Sequence, residues 1–375
     1  MASLYSYVYA LALLGNLLAT PVLCLAHQKK HVALFAFGDS LFDPGNNNYI
    51  NTTTLLQANF WPYGESFFKD PTGRFSDGRI VPDFIAEFAK LPLIPGYFQA
   101  EQGGFINGVN FASGGAGSLP ETYSGLVIDL KKQVQYFKNV AKQLKGKLGE
   151  KDSNKLLSSA VYMICIGSND YIGPFITNST ILNTYSHEEY VEMVIGNITN
   201  AIKEIYKEGG RKFVIYSVAP LGCIPFSRAL KLQQTNRTGC FKELHVLTEM
   251  HNKALPRKLI NLEKTLQGFK YSYFDFFTVV NNAIDHPSRY AISSSSNPHH
   301  LKPQQPPPLP PSQTTAIFRS RRSPAVVACR RRPPLFANAA LSSVEAAMHP
   351  GQSNSPSSGD RRRRLRAQIW AFFFS

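Results

Sequence analysis

Three short segments, far apart in the chain, combine residue types that nucleophilic chemistry uses. They are Gly38-Asp39-Ser40-Leu41, Ser113-Gly114-Gly115-Ala116-Gly117 and Gly167-Ser168-Asn169-Asp170, and each follows an apolar run. A serine on the turn leaving a strand is exposed, lies close to backbone N–H groups and is suited to attack on a carbonyl. Glycines at 114, 115 and 117 let a backbone N–H approach a reacting oxygen with no Cβ in the way. The Asn169 side chain offers an amide as a further donor. Two backbone N–H groups and one amide would make an oxyanion hole, each donor worth about 3–4 kcal/mol of barrier. A glycine-rich loop after a strand is by itself only a turn. A phosphate cradle is the competing reading, but neither GxGxxG nor GxxxxGK[ST] occurs. What carries weight is that three such segments follow three successive strands.

Those strands are expected over 32–37, 108–112 and 160–166, with two more over 212–218 and 270–274. They are mostly apolar on both parities, as strands covered on both faces must be. Amphipathic stretches over 80–89, 126–148, 188–206 and 241–266 separate them. Strands alternating with helices of this length imply parallel pairing through right-handed crossovers, and so an α/β fold, a three-layer α/β/α sandwich. In such sheets ligands bind beyond the carboxyl ends of the strands, where the three segments lie.

The chain has 375 residues, 43% hydrophobic and 17% charged, enough for one large core with extensions. Its net charge of +15 is unevenly placed. Residues 293–375 hold eleven Arg and one Lys against Glu345 and Asp360, so ten of the fifteen net positive charges sit there, with 12 of the 25 prolines. So sharp a break divides a globular body, 27–292, from a tail expected to be disordered. The Arg clusters lack interleaved aromatics or a recognisable motif, which argues against nucleic acid as a partner.

Residues 1–26 read as a signal peptide, with cleavage expected after Ala26 and no stable membrane insertion, which makes the chain secreted. Of the remaining cysteines, Cys223 and Cys240 flank a polar loop that a disulfide could close, and Cys165 in its apolar run is expected to be a buried thiol. No CxxC pair exists, so no metal site is expected, and no organic cofactor is implied. Asn51, Asn178, Asn197 and Asn236 each open a glycosylation triplet, consistent with that route.

Six ordered motifs over residues 31–292 resemble the plant GDSL esterase/lipases, a branch of the SGNH hydrolases. They begin with Phe35 to Asn47 around Gly38-Asp39-Ser40-Leu41, then Asn59-Phe60-Trp61-Pro62-Tyr63-Gly64 and Pro71 to Arg79. Gly108 to Gly117, Ile166 to Tyr171 and Ala219-Pro220-Leu221-Gly222-Cys223-Ile224-Pro225 complete the set. The resemblance implies a flavodoxin-like fold and ester hydrolysis. It assigns Ser40 as nucleophile and oxyanion donor, with Gly114 and Asn169 as the other donors, Gly115 being the alternative to Gly114. The substrate would be a small-molecule ester, a lipid or an acylated glycan.

The resemblance stops before the family's last block, an Asp-x-x-His pair that supplies the base. After Tyr290 nothing reads Asp-x-x-His, and Asp285-His286 comes too early, so the catalytic Asp and His are not found. The fold is therefore expected to be incomplete at its C-terminus. An altered reading frame or a retained intron accounts most simply for the break at 293, and a natural extension is the alternative. His286, His299 and His300 are the candidates to substitute. Two readings follow: a secreted serine ester hydrolase, and a catalytically impaired relative that binds an acylated ligand.

Overall fold

The computed structural model describes residues 32–100 and 104–287. The expected signal peptide, 1–26, and the tail from 293 onward lie outside the described residues. Within them the chain builds a five-stranded, all-parallel sheet in the order β2-β1-β3-β4-β5. The strands are β1 (Leu34–Gly38), β2 (Gly108–Asn110), β3 (Val161–Cys165), β4 (Lys212–Tyr216) and β5 (Lys270–Phe274). Helix α1 (Val81–Phe88) lies in the β1–β2 crossover, and α2 (Leu130–Leu148) with α3 (Glu150–Ser159) in the next. Then come α4 (Ser168–Thr177), the short α5 (Ile181–Thr184) and α6 (His187–Lys207) before β4, and α7 (Pro225–Thr235) and α8 (Lys242–Thr265) before β5. Helix α9 (Phe276–Asp285) follows the last strand.

The strand order explains the layers. From β2 onward each crossover steps the same way along the sheet, so α2, α6 and α8 lie side by side and pack on one another. The β1–β2 crossover steps back, and right-handedness sends α1 to the other face. Every residue of β1, β2 and β3 is buried. Phe35, Tyr162 and Phe213 stand opposite one another across β1, β3 and β4, their rings 5.4 and 5.3 Å apart. Phe137 of α2 meets this row edge-on at 5.3 Å from Phe35.

Two expectations need correction. β5 is not apolar on both faces: Lys270 and Ser272 are exposed, as suits an edge strand beyond which no further strand pairs among the described residues. Five helices, α3, α4, α5, α7 and α9, lie outside the helical stretches expected from the sequence. Helix α3 buries only Ser153, Leu156 and Leu157, and α7 only Ser227.

Candidate active site

The strand order reverses between β1 and β3, and in open α/β sheets that switch point opens a crevice at the strands' carboxyl ends. The backbones there are in tight contact, since a Cβ on Gly38 would strike the Cys165 carbonyl of β3. Buried Gln133 of α2 closes a two-way bond with Gly38, accepting its N–H and donating to its carbonyl, both at 2.9 Å. One residue on, the Asp39 N–H donates to the Cys165 carbonyl at 3.2 Å. The chain then coils once: the Asp39 carbonyl accepts the N–H groups of Phe42 and Asp43, and its Oδ1 accepts that of Leu41. Ser40 is left at the tip, half-exposed, its N–H given to no acceptor among the described residues.

Asp39 is buried and its Oδ2 has no partner among the described residues. Burial raises its pKa to about 7, and the nearby charges of Asp170 and Asp43 push the same way. Burial likewise pushes the neighbouring Cys165 thiol well up.

The glycine loop is fastened to the Ser40 turn by side chains from residues 43–47. Asp43 Oδ1 accepts the N–H groups of Gly45 and Asn46 at 2.8 and 2.7 Å, and its Oδ2 accepts that of Gly114 at 2.8 Å. Asn46 donates to the carbonyls of Asn110 and Ala112, and Asn47 to those of Gly114 and Leu56. Beneath them Arg74 grips Asp83 with two bonds, at 2.8 and 3.0 Å, and also donates to the Pro44 carbonyl. Gly114 therefore has its N–H turned to Asp43, whereas the Gly115 N–H donates to nothing among the described residues.

The turn after β3 is tied to the same loop. Asn169, half-buried, donates from its side chain to the Ala116 carbonyl at 2.9 Å, which engages one of its two amide hydrogens. Asp170 beside it accepts from Ser118, Leu119 and Thr122. Burial raises the carboxyl pKa of both Asp43 and Asp170 to about 6 against those hydrogen bonds. A hydroxyl, two undonated N–H groups and a partly engaged amide thus stand on three turns locked together.

Asp43, Asn46, Asn47, Asp83 and Gln133 have no assigned role in the sequence. The one signal available was polar residues crowded beside apolar strands, where unpaired side chains would be costly.

The other expected residues lie elsewhere. Cys223 and Cys240 form a disulfide with Cα atoms 4.4 Å apart. Asn51, Asn178 and Asn236 are exposed, while Asn197 is half-buried inside α6 with the Thr199 of its triplet buried. His286 is exposed at the end of α9, and His299 and His300 lie outside the described residues. His251 is buried in α8, bonded through Nδ1 to Tyr171 at 2.7 Å, and burial lowers its pKa to about 3. His245 faces Glu249, and no described histidine hydrogen-bonds to Ser40.

Residues 34–301 match the family described as GDSL-like lipase/acylhydrolase. A "GDSL lipase" of Tanacetum cinerariifolium is 47% identical over 290 residues, covering 76% of each chain. "GDSL esterase/lipase 1" and "GDSL esterase/lipase 2" of Arabidopsis thaliana are each 50% identical over 260 residues, 69% of either chain.

Proposed function

Since this chain belongs to the GDSL-like lipase/acylhydrolase family, we propose that it hydrolyses carboxylic esters through a covalent intermediate on Ser40. Ser40 Oγ attacks the ester carbonyl carbon and gives up its proton to a base, and the carbonyl π electrons move onto oxygen. The oxyanion is received by the N–H groups of Ser40 and Gly115 and by the second amide hydrogen of Asn169. Collapse expels the alcohol, protonated as it leaves. Water then attacks the acyl-serine, releasing the acid and restoring the hydroxyl. Gly115 takes the part considered for Gly114, because Asp43 already holds the Gly114 N–H. The observation that carries this reading is that the N–H groups of Ser40 and Gly115 donate to nothing among the described residues.

Lipid esters and acylated glycans both fall within the substrate class. Secretion is part of the same proposal, with cleavage after Ala26, the Cys223–Cys240 disulfide, and glycans on the exposed Asn51, Asn178 and Asn236. Glycosylation at Asn197 would have to precede formation of α6.

A second reading has one observation in its favour, that no described histidine hydrogen-bonds to Ser40. Without a base, the chain would hold an acylated ligand and turn it over slowly, since loss of a triad member costs on the order of 10⁶ in kcat where the same logic has been tested. Hydrolysis of p-nitrophenyl butyrate by the full chain and by Ser40→Ala tests both. The hydrolase reading expects steady turnover, lost at least about a thousand-fold in the variant. Stoichiometric phosphonate labelling of Ser40 without turnover supports the binding reading, and undiminished turnover in Ser40→Ala removes Ser40 as the nucleophile.

A further inference from the structure

The glycine loop is flanked by apolar side chains that take no part in fastening it. A Cβ on Gly115 would meet Leu56 Cδ2 at 2.9 Å and Val127 Cγ1 at 3.1 Å, and one on Gly114 would strike the edge of the Phe75 ring. From Phe75 the rings continue outward: Tyr63 stands edge-on at 5.9 Å and Phe60 edge-on to Tyr63 at 5.2 Å. Burial is graded along this row. Val127 is 5% exposed, whereas Leu56, Phe75, Tyr63 and Phe60 are half-buried and Trp61 at the outer end is 57% exposed.

The row is held in place by backbone bonds. The Leu56 carbonyl accepts Asn47 Nδ2 at 2.6 Å, the Gly64 N–H donates to the Ser76 carbonyl, and the Ser66 N–H to that of Asp77. A half-open apolar wall therefore runs from the Gly115 backbone to the surface.

We propose that this wall is the acyl subsite, along which the hydrocarbon chain of the ester's acid half lies from Gly115 past Leu56 and Phe75 to Tyr63 and Phe60. The inference rests on the serine-hydrolase reading and names its substrate class, esters of medium-chain acids. The occupant follows from chemistry. The acyl group stays bound through both halves of the reaction with its oxygen among the donors, so a wall anchored on the donor loop serves it throughout. The alcohol must leave and be replaced by water, which a dry wall would hinder. The length follows from the rings, since steps of 5.9 and 5.2 Å match roughly eight to nine bonds of an extended chain.

Two ester series read on the full chain test it. With p-nitrophenol as the constant alcohol, kcat/KM should rise about two-fold per methylene from acetate to octanoate, the half-open wall returning part of full burial, and then level off. With acetate as the constant acid, lengthening a straight-chain alcohol should bring no such rise. Leu56→Ala and Tyr63→Ala should each lower the octanoate-to-acetate ratio about five-fold or more, a ratio taken within each variant and so independent of its folded fraction.

A matched pair of reagents, ethyl p-nitrophenyl methylphosphonate and octylphosphonate, needs no turnover. Ser40 Oγ bonds to phosphorus as p-nitrophenolate leaves, and the octyl reagent should react at least ten-fold faster. Equal rates with an adduct on Ser40, or a rise only in the alcohol series, overturn the acyl assignment alone. No Ser40 adduct with either reagent overturns the serine reading, and the subsite with it.

Discussion

The two sides of the sheet are stabilised by different means. On the β2–β1–β3 side, Asp39, Asp43, Asp83 and Asp170 are all buried, each accepting backbone or guanidinium N–H groups that lock one turn to the next. On the β4–β5 side the edge strand alternates exposed and half-buried residues, the 223–240 loop is closed by a disulfide, and the cap of α9 is an exposed Asp275. Buried charge-assisted bonds are directional and strong but leave little tolerance, because a lost partner strands a desolvated group. Surface caps and edge packing forgive substitution. The proposed site lies on the side held by the rigid means.

Paired substitutions make this comparison breakable. The largest difference is expected between two glycines. Gly108 has φ +108 and its Cβ would strike the Leu34 backbone, whereas Gly268 has φ +72 and its nearest neighbour is Arg211 Cδ at 3.8 Å. Gly108→Ala should cost more than about 4 kcal/mol or prevent folding, and Gly268→Ala about 1 kcal/mol, the strain of the left-handed backbone alone. Thermal unfolding reads both, and similar losses would dissolve the contrast.

Next come two aspartates. Asp43→Ala strands three N–H groups and should cost about 4 kcal/mol, while Asp275→Ala removes an exposed cap that Thr278 uses and should cost about 1 kcal/mol. Urea midpoints at constant slope would measure the gap.

A pH series sharpens it further. Asp39 has its folded pKa raised from 3.8 to about 7, so the folded state holds the proton more tightly. Its contribution to stability is complete below pH 4 and is lost as pH rises through 7, on the order of 4 kcal/mol. Asp39→Asn should flatten that part of the decline, leaving the smaller share of Asp43 and Asp170, whose folded values are about 6. An unchanged slope would mean that Asp39 is already charged at low pH. The smallest effect is expected at the open edge, where Ser272→Thr should stay within about 0.5 kcal/mol in the same unfolding assay.

Much of the frame was legible in the chain. Runs apolar on both parities announce strands buried on two faces, and amphipathic stretches between them announce parallel crossovers, so the layers and the placement of Ser40, the glycine loop and Asn169 just beyond strand ends could be read directly, though not that Asn169 lies in the first turn of helix α4. Helix α7 could not, since it buries only Ser227 and so leaves almost no apolar stripe, whereas α9 buries Phe276, Val280 and Ala283 on one face.

What the sequence by itself determined was which residue types stand at which strand ends, because burial selects side chains locally and periodically. Tertiary structure alone decided how those ends are used. The Gly114 N–H is bound by Asp43, 71 residues away, and that of Gly115 is not. The pKa of Asp39 depends on burial against β3 and on the charge of Asp170. The wall beside Gly115 depends on Leu56 and Val127 arriving from opposite sides in the sequence. Hydrogen bonds and electrostatic fields act over a few ångströms in space, and only the folded chain sets which residues come that close.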